Sequence, residues 1–180
     1  MSTLAGQAQP AGPQRVWVEL GLGGSAQTPN CDGCFQTVRM GGPSASLALG
    51  LTITPSFGVA LLGRAFAEIS FDYSHSASYF VGLAQWAPVP GITLNAGLGE
   101  GQQHGDDPPY GDNGSGAVVA AGVAIRLPSK STFGLTLNAD WIKSVSGTLR
   151  TASGQPGSSY RPLLFTVGLG LNIASANMSN

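Results

Sequence analysis

Between residues 15 and 173 the chain alternates apolar side chains with small or polar ones, one for one, in eight separate segments. A period of two puts successive side chains on opposite faces of a strand, so each segment reads as a strand with one apolar face. In 15–23, Val16, Val18, Leu20 and Leu22 oppose Arg15, Trp17, Glu19, Gly21 and Gly23. In 44–54, Ala45, Leu47, Leu49, Leu51 and Ile53 oppose Ser44, Ser46, Ala48, Gly50, Thr52 and Thr54. The same division recurs in 91–99 (Ile92, Leu94, Ala96, Leu98), 117–127 (Val119, Ala121, Val123, Ile125, Leu127), 132–141 (Phe133, Leu135, Leu137, Ala139, Trp141) and 163–173 (Leu163, Phe165, Val167, Leu169, Leu171, Ile173). Two segments are less pure. Residues 57–69 set Phe57, Val59, Leu61, Ala65 and Ile69 against Gly58, Ala60, Arg64 and Glu68, and 78–87 set Tyr79, Val81 and Leu83 against Gly82 and Ala84. Strands of about ten residues are long enough, when tilted, to cross a bilayer.

The links between segments point the same way. After the second, fourth and sixth segments they are short and contain proline (54–56, 87–91, 127–132), whereas about 25–43, 70–77, 100–115 and 144–160 are longer. Membrane barrels have short periplasmic turns and long outer loops, so this order places both ends of the strand region on the periplasmic side. Residues 1–14 read as a flexible leader, 15–173 as one barrel and 174–180 as a short polar tail. The leader shows no export signal, since it has neither a basic nor an apolar run.

Composition decides which face looks inward. A soluble ligand-binding barrel would turn its apolar face inward and cover its outside with charge. Here charged residues are 9% of the chain, well below the roughly 25–35% of a soluble surface, and the non-apolar face is mostly Gly, Ala, Ser and Thr. Small residues suit a cramped lumen, and eight strands leave just enough room for side chains to fill it. The expected fold is therefore an all-β, eight-stranded antiparallel up-and-down transmembrane barrel with the apolar face in lipid. Its lumen would hold a polar network of Glu19, Arg64, Glu68, Asn138 and Asp140. A buried charge must be paired, so Arg64 needs an acidic partner among Glu19, Glu68 and Asp140. Phe57, Trp86 and Phe133 toward the short turns, with Tyr79 and Trp141 toward the loops, would form interfacial girdles. With a net charge of −1 and no basic stripe, no nucleic-acid partner is indicated.

The stretches "GGPSASLALGLTITPSFGVALLG", "YFVGLAQWAPVPGITLNAGLGEG" and "LLFTVGLGLNI" resemble the small outer-membrane β-barrel family of Gram-negative envelopes, the OmpA/OmpX-like group. The resemblance covers roughly 15–173 and implies an outer-membrane location, insertion by the outer-membrane assembly machinery, and membrane lipids including lipopolysaccharide as surroundings. The family's last strand usually ends in an aromatic residue, whereas this one ends at Ile173.

Three groups of residues carry possible chemistry. His75 lies beside Ser74, Ser76 and Ser78, with Asp72 nearby, and some small outer-membrane barrels are lipid A deacylases or acyltransferases that use His and Ser. Such a dyad needs the base within hydrogen-bond reach of the hydroxyl. His104, Asp106, Asp107 and Asp112 gather donors for a divalent cation, but without the spacing of a known calcium loop, and Gly, Pro, Asp and Asn are also what turns require. Cys31 and Cys34, in "NCDGC", fall in the first outer loop, where thiols are not kept reduced. A redox motif would need a helix start and zinc would need further ligands, so a local disulfide is expected, worth about 2 kcal/mol before strain. On the lipid face Gly63, Ala65 and Ala67 form a small-residue stripe through which another barrel could approach.

No cofactor is implied. The functional expectation is a non-enzymatic structural or interaction protein presenting four outer loops, with a lipid-modifying enzyme built on His75 and a nearby serine as the alternative.

Overall fold

The computed structural model describes residues 15–28, 40–69, 74–105, 112–127, 133–151, 156–159 and 161–174. Eight long strands form the wall: β1 (Arg15–Thr28), β2 (Met40–Thr54), β3 (Phe57–Ile69), β4 (Ser74–Val89), β5 (Ile92–Gly105), β6 (Asp112–Arg126), β7 (Phe133–Ser144) and β10 (Leu163–Ala174). Each pairs antiparallel with its neighbour in sequence, β7 joins β10 across the fourth loop-side hairpin, and β1 closes on β10. A closed sheet leaves no unpaired edge among the wall strands, which is the condition for placing β structure in lipid.

Two short strands, β8 (Thr148–Thr151) and β9 (Pro156–Ser159), continue β7 and β10 beyond the wall. Between β7 and β8 the pairing with β6 slips by one residue, from Val118↔Ser144 to Ser115↔Thr148. The slip is a β-bulge: the Val145 and Ser146 amides both donate to the Ala117 carbonyl, at 2.9 and 3.4 Å. At the other end the turns are tight. Pro55–Ser56 links β2 to β3, and Pro90–Gly91 links β4 to β5 with Gly91 at φ 85°, a conformation glycine adopts without penalty.

The strands run 12–16 residues, longer than the 9–11 that a crossing needs, so the wall continues past the membrane at the loop end. Segments 25–28, 40–43, 74–77, 100–105 and 112–115, expected in loops, are strand. They were illegible as strand because above the bilayer both faces are polar or small, which erases the hydropathy period. His75 and His104, expected in loops, therefore sit on β4 and β5.

Seven strands present the expected faces. Leu20, Leu22, Leu47, Leu61, Leu98, Leu135 and Val167 are exposed on the outside. β4 is reversed: Tyr79, Val81 and Leu83 point inward, and Phe80 and Trp86 point to lipid. Register settles this, because lipid-facing Phe57 pairs with Trp86 and outward Gly63 pairs with Phe80. The expectation failed because the lumen is not uniformly polar. Leu62, Phe66, Tyr79, Val81, Val118, Ile142 and Leu164 pack inside the barrel as an apolar plug, so both faces of β4 are hydrophobic. Tyr79 accordingly belongs to the plug and not to a girdle.

Candidate functional site

The lumen holds the polar chemistry of the described residues, in tiers from the short-turn end to the loop end. At the short-turn end Glu19 on β1 accepts from Asn138 Nδ2 on β7 at 2.8 Å and from Asn172 Nδ2 on β10 at 3.5 Å. Arg126 Nη2 donates to Asn172 Oδ1 at 2.5 Å, which ties β6 to β10. Glu19, Arg126 and Asn172 line a vestibule of about 460 Å³ together with Arg15, Trp17 and Gln85. Room for Trp17 comes from Gly50 on the facing strand, where any Cβ would lie 2.1 Å from the indole ring.

Above this tier Arg64 on β3 reaches across the barrel to Asp140 on β7, Nη2 to Oδ2 at 2.6 Å. The residues are 6% and 8% exposed, so this is a buried, charge-assisted pair. Arg64 Nε and Nη1 make no hydrogen bond to described residues. Arg64 borders a cavity of about 10 Å³, the size of a single water, shared with Ser46, Asn138 and Thr166. Ser25 and Thr166 share a hydroxyl hydrogen bond of 2.7 Å on the adjacent strands.

Toward the loop end, above the apolar plug, lies a third tier. Gln27 Nε2 donates to Gln103 Oε1 at 3.3 Å and to His75 Nε2 at 3.4 Å, and Gln103 Nε2 donates to the Tyr79 hydroxyl at 3.3 Å. His75 packs on Phe66 with ring centroids 6.5 Å apart. Its strand turns apolar on the outside only at Phe80, so His75 stands beyond the membrane-spanning part. Burial lowers its pKa below the ordinary value, and nearby His104 adds to the effect. A neutral imidazole is the form that accepts from Gln27.

The structure brings together Arg64 with Asp140, and Glu19 with Asn138, out of the five lumen residues named from sequence. Glu68 is not joined to Arg64; it sits opposite His75 in the β3–β4 register. His75 points into the lumen while Ser74, Ser76 and Ser78, one residue out of phase, face outward, so strand alternation itself separates the imidazole from its neighbouring hydroxyls. His104 faces outward, and its Nδ1 is hydrogen-bonded to Asn113 Oδ1 across the β5–β6 hairpin. Asp106, Asp107 and the side chain of Asp112 lie outside the described residues, as do Cys31 and Cys34. Among the described residues no three His, Cys, Asp or Glu side chains cluster as a metal site.

Sequence reading did not name Gln27, Gln103, Tyr79, Arg126 or Asn172 as site residues. Arg126 and Asn172 were visible on the polar face, but their pairing depends on a register that no single strand reveals. Phe66 and Leu62 were the available signal for the plug, since they break the small-residue pattern of the inward face of β3.

A groove of about 1010 Å³ lies on the outer wall near the loop end, lined mostly by outward-facing residues such as Ala65, Ser76, Ser78, Gln102 and His104. It shares no lining residue with the vestibule. Within the lumen, the Arg64–Asp140 pair and the apolar plug lie on the loop side of the vestibule.

No known family profile matches the chain, and no curated protein matches its sequence. Solved structures do match. Neisserial surface protein A superposes with a TM-score of 0.61 at 9% identity, over 88% of this chain and 96% of that one. Ail, the attachment invasion locus protein of Yersinia pestis, gives 0.58 at 12% identity, over 87% and 98%. Outer membrane protein AlkL gives 0.60 at 11% identity, over 100% and 99%. The chain has the fold of the small outer-membrane β-barrels. The apolar belt around its wall is the surface that a membrane-spanning barrel presents to lipid.

Proposed function

We propose that this outer-membrane barrel is a non-enzymatic structural or interaction protein that works through its outer rim and loops. The observation that carries the reading is the filled lumen. Phe66, Tyr79, Val81, Val118, Ile142 and Leu164 occupy it together with the buried Arg64–Asp140 ion pair. An open aqueous pathway belongs to barrels of about sixteen strands or more. In planar bilayers the protein should give no steady conductance steps; stable, ohmic steps in the wild type would overturn the reading.

The lipid-modifying alternative asks for a serine hydroxyl within reach of His75. Its ring instead meets Gln27 and Phe66, which supports a packing role. Incubated with lipid A in detergent, wild type and His75→Ala should both release no fatty acid. Release by the wild type that is lost in the variant would establish the enzyme.

The same reading includes insertion by the outer-membrane assembly machinery, a Cys31–Cys34 bridge in the first outer loop, and self-association through the outward Gly63, Ala65 and Ala67. Unreduced protein should then resist thiol alkylation at both cysteines, and crosslinking in bilayers should yield dimers that Gly63→Leu abolishes.

A further inference from the structure

The outer surface of the wall carries few charges, and their placement is uneven. Among the described residues the outward-facing cations are Lys143 on β7 and Arg161, just before β10. They are near neighbours. Lys143 pairs in register with Leu163, and Arg161 precedes Leu163 by two residues. The backbone pairing extends that far, since the Ser144 amide donates to the Pro162 carbonyl at 3.0 Å. Two residues in this diagonal relation across an antiparallel pair have Cα atoms roughly 7–8 Å apart. Like charges at that spacing repel, and among the described residues their outward neighbours do not offset them. Val119 on β6 pairs with Lys143, Thr28 on β1 pairs with Leu163, and the outward carboxylate Glu100 stands beyond β6 on β5.

Directly beneath the two cations Trp141 and Phe165 form a tilted aromatic pair, ring centroids 5.3 Å apart. Their height follows from counting. On β7 the outward residues are apolar from Phe133 to Trp141, and on β10 from Ile173 to Leu163, spans of nine and eleven residues. A tilted strand crosses the hydrocarbon core in about 9–11 residues, so Lys143 and Arg161 are the first side chains above it on their strands, at headgroup level on the loop side. Interfacial aromatics below and paired cations above make a surface with an apolar half and an anion-binding half. An arginine fork and a lysine ammonium that converge from adjacent strands suit phosphate oxygens.

We propose that Lys143 and Arg161 clamp a phosphate of lipopolysaccharide in the outer leaflet, with its acyl chains against Trp141, Phe165 and Leu163. The inference deepens the reading of the protein as an outer-membrane barrel in contact with lipid, and rests on the loop end facing out. The phosphate relieves the repulsion between the two cations, and the lipid becomes a fixed part of the β7–β10 face.

The test measures binding of bis-phosphorylated lipid A, its dephosphorylated form and phosphatidylglycerol to detergent-solubilised barrel. Each basic residue near an anionic lipid surface contributes enough that losing both should weaken binding roughly thirtyfold. Wild type should prefer the phosphorylated form by about that factor, Lys143→Ala/Arg161→Ala should abolish the preference, and Lys143→Arg/Arg161→Lys should keep it. Equal binding of the two lipid A forms by the wild type overturns the proposal without recourse to any variant. So does a preference that survives the double alanine change, and phosphatidylglycerol that competes as well as lipid A overturns the choice of lipid. Gel mobility of unheated against boiled protein separates this from the underlying reading: wild type without a shift is no barrel, whereas a shift with equal lipid binding removes the clamp alone.

Discussion

Tyr79 and Phe80 are consecutive in the chain and lie on opposite sides of the barrel wall, the first 4% exposed in the lumen and the second 60% exposed toward lipid. A one-residue slip of β4 would exchange them, and with them every side chain of the strand. A spin label at Phe80→Cys should be relaxed strongly by oxygen dissolved in the bilayer, and one at Tyr79→Cys should not. The opposite result would place the plug residues in the membrane.

The Arg64–Asp140 pair joins strands on opposite sides of the lumen. Removing one partner strands the other charge in a buried site, at a cost of about 3–5 kcal/mol, whereas replacing both by apolar residues of similar volume is close to neutral. Arg64→Met or Asp140→Leu alone should lower the urea midpoint of the vesicle-embedded barrel, and the double variant should recover most of the loss. A double variant as weak as the sum of the singles would show that the pair does not act as a unit.

Gly122 and Gly63 make a matched comparison. A Cβ at Gly122 would lie 2.0 Å from Asp140 Oδ1, while one at Gly63 meets nothing nearer than the Leu47 carbonyl at 3.8 Å. Gly122→Ala should displace the Asp140 carboxylate and destabilise by about 1–3 kcal/mol, as overpacking does. Gly63→Ala should stay within about 0.5 kcal/mol of wild type, as exposed substitutions do. Equal effects on the unfolding midpoint would contradict the inward placement of Gly122.

His75 links stability to pH. Its pKa is lowered in the folded barrel, chiefly by burial and then by His104, so the unfolded chain binds the proton more tightly. Its contribution is complete above a pH of about 6.5 and shrinks as pH falls from there to the folded-state value. Glu68, opposite it on β3, is the nearest carboxylate in the register. Wild type should lose stability between pH 7 and pH 5 more steeply than His75→Gln, read from urea unfolding rates in vesicles. Identical slopes would remove His75 as the source.

The wall was legible where one face met lipid. Residues such as Leu47, Leu49 and Leu51 had to alternate with Ser46, Ala48 and Gly50, because lipid tolerates only one kind of neighbour. It was illegible where that contrast vanished: at β4, where Val81 inside balances Phe80 outside, and above the membrane, where Gln102 and Gln103 are polar on both faces. The site was half legible for a related reason. Arg64 announced that it needed an acid, but the choice of Asp140 over Glu68 is made by closure of the sheet, which brings together residues 76 apart in the chain. Gln27, His75 and Gln103 converge in the same way, from three strands whose mutual stagger no local pattern encodes.

The bulge at Val145 and Ser146 bears on how such a surface changes over generations. Because one residue is already absorbed where β7 gives way to β8, the hairpin above it is out of step with the staves below. Gaining or losing a residue in that hairpin can be taken up at the joint without turning the staves over. The most visible part of the protein can therefore be rewritten while the part that must match the lipid is left as it stands.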